Sequence, residues 1–234
     1  MSAHGERPPP GEIFIISAPS GTGKTTLIRT LMEERLRPIG GVEHSTSHTT
    51  RRARPEEVDG RDYHFVDDAT FDRMVAEDLF LEWAEYNGRR YGTSKQEVLP
   101  RLEAGVDVVL DIEVKGARKL LRRHPEAHGI FVVPPSFEAL EERLRRRAQD
   151  PDAEISRRLA VSLWEIERYE LYEYVIINDD LERASLALAS IILEKRHRLP
   201  RIAPKVRSVL ESFAGVAASG RTEDPGRTGG AEPE

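Results

Sequence analysis

The sequence predicts an α/β fold in three layers, a parallel sheet between two sets of helices, interrupted by a small mixed α/β insertion. Short apolar runs recur without alternation: IFIIS (Ile13–Ser17), DVVLD (Asp107–Asp111), GIFVV (Gly129–Val133) and YVIIN (Tyr174–Asn178). Strands of that kind are buried on both faces. Each run is followed by a stretch with helical periodicity, as crossovers between parallel strands require. Between about 42 and 97 this rhythm lapses into polar, aromatic, turn-rich sequence.

In chain order, residues 1–11 read as a disordered leader. Ile13–Ser17 is a strand and Lys24–Leu36 a helix, with Leu27, Ile28 and Leu31 on one face. The insertion holds a strand candidate at Tyr63–Val66 and a helix near Ala69–Glu77. The core resumes with the strand Asp107–Asp111, the helix Val114–Arg123 and the strand Gly129–Val133. Helices at Phe137–Arg147 and Ala153–Leu171, the strand Tyr174–Asn178 and a closing helix Leu181–Lys195 complete it. In the extension 199–234, Val206, Val209, Leu210, Phe213 and Ala217 fall at helical spacing, enough for a short helix. The remainder, SGRTEDPGRTGGAEPE, reads as disordered, and so does most of the extension.

A chain of 234 residues supports one sizeable core. Its net charge of −6 lacks the basic footprint of a nucleic-acid binder. The absence of cysteine excludes disulfides, thiolate metal sites and a cysteine nucleophile. No apolar run reaches the ~20 residues of a membrane span, and the N-terminus lacks the apolar centre of a signal peptide. The expectation is a cytoplasmic protein without a membrane partner. His44 and His48 lie close in sequence without a carboxylate at metal spacing, so no structural metal is expected.

The chemistry starts at Ala18-Pro19-Ser20-Gly21-Thr22-Gly23-Lys24-Thr25, followed by Thr26. Apart from Ala18, where a glycine is usual, this is the phosphate-loop pattern of the P-loop NTPases. Gly21 and Gly23 let the backbone wrap so that several N–H groups face one anion, and the helix N-terminus adds partial positive charge. Lys24 reaches the β- and γ-phosphates of a nucleoside triphosphate, and Thr25 offers a hydroxyl to Mg²⁺. The bland alternative is a glycine-rich turn before a helix. Asp111 ends its strand on the sheet edge where open α/β folds bind ligands, so it can hold Mg²⁺ through water or cap the next helix. Glu113 follows two residues later.

The insertion carries SHTTRRARPEEVDGRDYHF and EWAEYNGRRYGTS. Together with the phosphate loop and the later RLRRRAQD and INDD stretches, these resemble guanylate kinase over about residues 12–198. The resemblance implies ATP + GMP ⇌ ADP + GDP with Mg²⁺. It also implies a three-part fold: a core at 12–41 and 98–198, a GMP-binding insertion at about 42–97, and a helical lid at about 143–158. Arg51 and Arg54 are then expected on the GMP phosphate, beside Ser47, Tyr63 and Tyr91, with Arg52 solvated. Arginine forks suit a dianionic acceptor. Guanine presents one acceptor and two donors on its pairing edge. The resemblance matches Glu82 to the donors and Thr93 to the acceptor, with Asp111 also on the GMP side.

In the lid stretch, Glu141–Arg145 and Glu142–Arg146 make favourable i,i+4 pairs, leaving Arg143 and Arg147 facing each other with like charge. The resemblance places these two, with Arg158 from the next helix, over the triphosphate. Ala148 stands where relatives often have glycine. Asn178, with Asp179 beside it, is expected near the adenine or as a helix cap before Leu181. Lys24, Arg54, Arg147 and Arg158 are thus the expected catalytic set. Two other functions fit the fold: an inactive interaction module, which has no need of Lys24 and Thr25, and a kinase with a sugar-phosphate acceptor, which has no need of Glu82 and Thr93. The expected substrates are ATP and GMP, with dGMP as a further acceptor.

Overall fold

The computed structural model describes residues 9–147 and 152–218, in two compact units. The larger unit, Pro10–Leu193, holds a five-stranded parallel sheet ordered β2-β7-β1-β8-β9. Its strands are β1 (Ile13–Ser17), β2 (Val42–Ser45), β7 (Asp107–Asp111), β8 (His128–Val133) and β9 (Tyr174–Ile177). The strand period of two divides the core. Phe14 and Ile16 point to one face, against Leu27, Ile28 and Leu31 of α1 (Lys24–Thr30) and its continuation, and against Leu188 and Ile192 of α7 (Leu181–His197). Ile13 and Ile15 point to the other face, against Val98 of α3 (Lys95–Glu103) and Ala117 and Leu120 of α4 (Val114–Arg123). The expected helix Lys24–Leu36 has two parts. After Thr30 it widens into a π-turn, Leu31–Leu36, in which the Arg37 N–H reaches back to the Met32 carbonyl at 3.1 Å.

The insertion is a mixed four-stranded sheet ordered β4-β3-β6-β5. It comprises β3 (His48–Thr49), β4 (His64–Phe65), α2 (Asp68–Ala76), β5 (Phe80–Tyr86) and β6 (Arg89–Ser94). Asp67 starts α2 by accepting from the Thr70 N–H at 2.8 Å. β5 and β6 form a hairpin whose turn, Asn87-Gly88, has φ of 51° and 69°, the positive values of a type I′ turn. The boundary expected at 42 falls later, because Val42–Ser45 pairs with β7 in the core sheet. Val42 belongs to the core cluster under α1, and that burial draws the segment into the large sheet.

α5 (Phe137–Arg147) and α6 (Asp152–Ile166) follow β8, and a 3₁₀ turn, Tyr169–Leu171, ends what the sequence suggested as one helix Ala153–Leu171. In the second unit α8 covers Leu199–Ala218, so this part of the extension is a helix and the reading of 199–234 as mostly disordered does not hold for it. Val206, Val209, Leu210 and Phe213 are exposed. Residues 1–8 of the expected leader and 219–234 of the tail lie outside the described residues, as do 148–151 with the Ala148 position.

Candidate active site

The phosphate loop follows β1 at the C-terminal edge of the core sheet. Gly21 and Gly23 have φ of 90° and 97°, where a side chain would strain the backbone. A Cβ on Gly21 would also stand 2.8 Å from Leu144 of α5, and one on Gly23 2.9 Å from the Asn178 amide. The back of the loop is tied down at a single carbonyl. Thr22 O accepts from Asn178 Nδ2 at 2.7 Å and from Arg143 Nη1 at 3.1 Å, while Arg143 Nη2 donates to Asn178 O at 3.1 Å.

Arg143 braces the loop from behind. One expectation changes: the reading of Asn178 as the helix cap does not hold. Asn178 is a buried brace, and the start of α7 is capped by Asp180, whose Oδ1 accepts from the Arg183 N–H at 2.9 Å. Thr22 is fully buried and gives the site its backbone alone. Thr26, Arg143, Asn178 and Asp179 line a shallow depression behind the loop. The i,i+4 pairs Arg145–Glu141 (2.9 Å) and Arg146–Glu142 (3.5 Å) form as the spacing indicates.

Strand register brings Ile16 of β1 opposite Asp111 of β7, so the residue after the loop meets the carboxylate at the next strand end. Lys24 Nζ lies 2.5 Å from Asp111 and 3.5 Å from Glu113. Burial alone would lower the Lys24 ammonium, but the two carboxylates outweigh it and hold the pKa well above the ordinary lysine range. Burial pushes Glu113 up, against the pull of Lys24. Asp111 is committed to Lys24, and Glu113 takes the N-cap position of α4 without a side-chain cap bond.

A cleft of about 1010 Å³ runs from Pro19, Ser20, Gly21, Lys24 and Thr25 to Arg51, Arg54 and Tyr91 on the insertion. Arg51 forks onto Glu57 with two 2.8 Å bonds, and its guanidinium stands 5.2 Å from the Tyr63 ring centre. Glu57 also accepts from the Arg54 N–H at 2.8 Å. The Arg51 hydrogen bonds keep the Glu57 carboxyl below its ordinary pKa. The Arg54 side chain is 66% exposed, with a looser 3.7 Å ion pair to Glu57, and Arg51 is held in place beside it. The Arg52 side chain is solvated as expected.

At the inner end, Ser47, Tyr63, Glu82, Tyr86, Tyr91, Asp111 and Gly116 line a small pocket. The β5–β6 register sets Glu82 directly opposite Thr93, whose hydroxyl donates to Glu82 Oε1 at 3.0 Å. Glu82 is only 4% exposed, and burial raises its pKa to about 7. Its Oε2 is buried with no hydrogen-bond partner, an acceptor aimed at nothing the protein supplies. Burial likewise raises the Tyr63 and Tyr86 hydroxyls, which remain neutral donors.

From α6, Arg158 Nη2 donates to Ser20 Oγ at 2.7 Å, placing a lid arginine on the phosphate loop. Its neighbour Arg157 donates to Asn87 Oδ1 at 3.2 Å, tying α6 to the hairpin turn of the insertion. The Arg147 side chain lies outside the described residues. Sequence reading passed over Glu57, Gly116 and Arg157. The one available signal for them is Glu57, an acid following three arginines within six residues.

The phosphate loop thus shares its cleft with an arginine pair, and a pocket holding the Glu82 carboxylate adjoins it. Comparison with known proteins gives the same answer. The guanylate kinase family model matches residues 11–195. The chain belongs to the guanylate kinase family. Among curated guanylate kinases, that of Chromobacterium violaceum is 44% identical over 91% of this chain and 98% of its own. That of Nitrosospira multiformis is 48% identical over 80% and 87%. The crystal structure of guanylate kinase from Anaplasma phagocytophilum superposes with a TM-score of 0.70 at 28% identity, covering 93% of this chain and 99% of that one. This guanylate kinase is an enzyme of ATP-dependent GMP phosphorylation. Nothing in the comparisons supports an inactive module or a sugar-phosphate kinase.

Proposed function

We propose the following division of labour for the transfer of the ATP γ-phosphate to GMP. The observation that carries it is the cleft joining the phosphate loop to Arg51 and Arg54, with the Glu82 pocket adjoining it at Tyr63, Tyr91 and Asp111. Residues 18–25, with Lys24, cradle the triphosphate. Arg54 receives the GMP phosphate, while Arg51, fixed by Glu57, flanks it with Ser47, Tyr63 and Tyr91. Glu82 accepts from the two guanine donors, and Thr93 turns its hydroxyl from Glu82 to the guanine oxygen. Arg158 and Arg147 close over the migrating phosphoryl group. No side chain forms a covalent intermediate. Positioning and charge neutralisation supply the catalysis.

Mg²⁺ fits the donor chemistry at the loop. Thr25 offers a hydroxyl and Asp111 a carboxylate able to hold metal-bound water, both oxygen donors suited to a hard cation. Among the described residues, no group of three or more His, Asp or Glu could hold a metal by itself, so the nucleotide phosphates would complete the shell. Bound there, Mg²⁺ would neutralise charge on the triphosphate. No described helix is long and apolar enough to cross a membrane. We place the enzyme in the cytoplasm because ATP and GMP are met there.

ADP release coupled to an optical readout, with ATP and each of GMP, dGMP, AMP, CMP and UMP, tests the assignment. GMP should be the preferred acceptor, dGMP should follow, and the others should be poor. Turnover with AMP comparable to GMP would overturn it.

A further inference from the structure

Gly116 lies in the first turn of α4, buried beneath the inner pocket. Its φ is ordinary for a helix, so backbone conformation does not call for glycine, and glycine weakens a helix relative to alanine. The reason for it lies in space. A Cβ at this position would stand 2.5 Å from Glu82 Oε2, 3.1 Å from Glu82 Cδ and 2.6 Å from Ile112 Cγ2. Real Cβ atoms do not approach so closely, so both neighbours must give way. Ile112 is packed in the core under α4. Glu82 is held only through Oε1, by Thr93, and its Oε2 has no partner. The carboxylate therefore turns aside with least resistance, while the Ile112 methyl must shift within the core.

We infer that Gly116 is a specificity-determining residue, whose missing side chain creates the recess in which the Glu82 carboxylate stands square to the guanine edge. The inference rests on GMP being the acceptor. The carboxylate must accept from two neighbouring donors at once, and a tilt that satisfies one loses the other. Methylating the floor of the recess tilts it. Gly116 acts through Glu82, so it is a positioning residue.

The test is a Gly116→Ala substitution in the full chain, alone and with Glu82→Asp, whose shorter carboxylate withdraws from the new methyl. G116A alone should raise the GMP KM by about tenfold or more and lower the GMP-over-AMP preference by the same factor. The ATP KM should stay within about twofold, because the phosphate loop is untouched. The melting temperature should fall by a similar amount in both backgrounds, because the contact with Ile112 remains when the carboxylate withdraws. In the E82D background the same change should alter the GMP KM less than about threefold, a non-additivity that a merely structural glycine would not give.

Equal fold losses in both backgrounds, an unchanged GMP KM, or a chain that fails to fold in both backgrounds would each overturn the role of Gly116. In the last case the cost would lie against Ile112. An unaltered enzyme that turned over another monophosphate and ignored GMP would overturn the acceptor assignment itself, and the inference with it.

Discussion

The Thr93 hydroxyl donates to Glu82 Oε1 at 3.0 Å, so the two groups expected to read guanine are bonded to each other. Binding GMP must exchange this bond for three to the base. The unpartnered Oε2 favours the exchange, because it gains a donor it lacked. Adenine offers no such donors, and a site that would leave a buried carboxylate unpaired can discriminate by ~10⁴-fold.

Glu82→Gln turns one acceptor into a donor facing the guanine N–H groups. The GMP kcat/KM should fall by about 10²-fold or more, with the ATP KM little changed. Steady-state kinetics with GMP and AMP check this. Equal losses with both acceptors would remove Glu82 from base recognition.

The raised pKa gives a pH signature. Guanine needs the ionised carboxylate, so the GMP kcat/KM should decline as pH falls through about 7, where burial sets the Glu82 pKa. E82Q lacks that step, and the difference between the two profiles isolates Glu82 from titration of the GMP phosphate. Stability runs the other way. With its folded pKa raised, protonated Glu82 favours the fold fully below about 4.5, and this is lost as pH rises through about 7. E82Q should therefore melt above the unaltered protein at pH 8, by an amount of order 3 kcal/mol at most, and close to it at pH 5.

Arg54 and Arg158 should separate binding from transfer. Arg54→Ala should raise the GMP KM and lower kcat. Arg158→Ala should lower kcat, by up to ~10³-fold, with GMP affinity nearly unchanged. Calorimetric GMP titration without ATP, beside kinetics, distinguishes them, and the reverse pattern would exchange the roles.

Glu57 holds both Arg51 and the Arg54 backbone. Glu57→Ala should free both and raise the GMP KM by about tenfold while sparing ATP. A lower GMP KM would instead show that Glu57 competes with the acceptor phosphate for Arg51.

Ending the chain after Gly220 should leave kcat, both KM values and the melting temperature unchanged. The removed segment has no apolar stripe to bury. A loss in any of them would give the tail a role in the active unit.

The core strands were legible because burial on both faces leaves runs such as IFIIS without polar residues. The phosphate loop was legible because its geometry needs glycines at fixed positions. Val42–Ser45 was missed as a core strand because VEHS has the polar look of an insertion, and at the sheet edge only Val42 and Ser45 are buried. The Asn87-Gly88 turn was a readable hairpin signal, and it would have placed Glu82 opposite Thr93. The partnership of Arg143 with the Thr22 and Asn178 carbonyls had no signal in sequence, because a guanidinium bonding a carbonyl leaves no charge pattern. Gly116 was silent for a similar reason. What it provides is a space, and the neighbour that uses the space comes from a distant strand.

Leu140 and Leu144 rest on the phosphate loop, close enough that Gly21 has no room for a side chain. Loop and helix are accordingly packed as one piece. A side chain at Gly21 would therefore displace α5 as well as strain the loop, and with α5 the Arg143 guanidinium that braces the loop from behind.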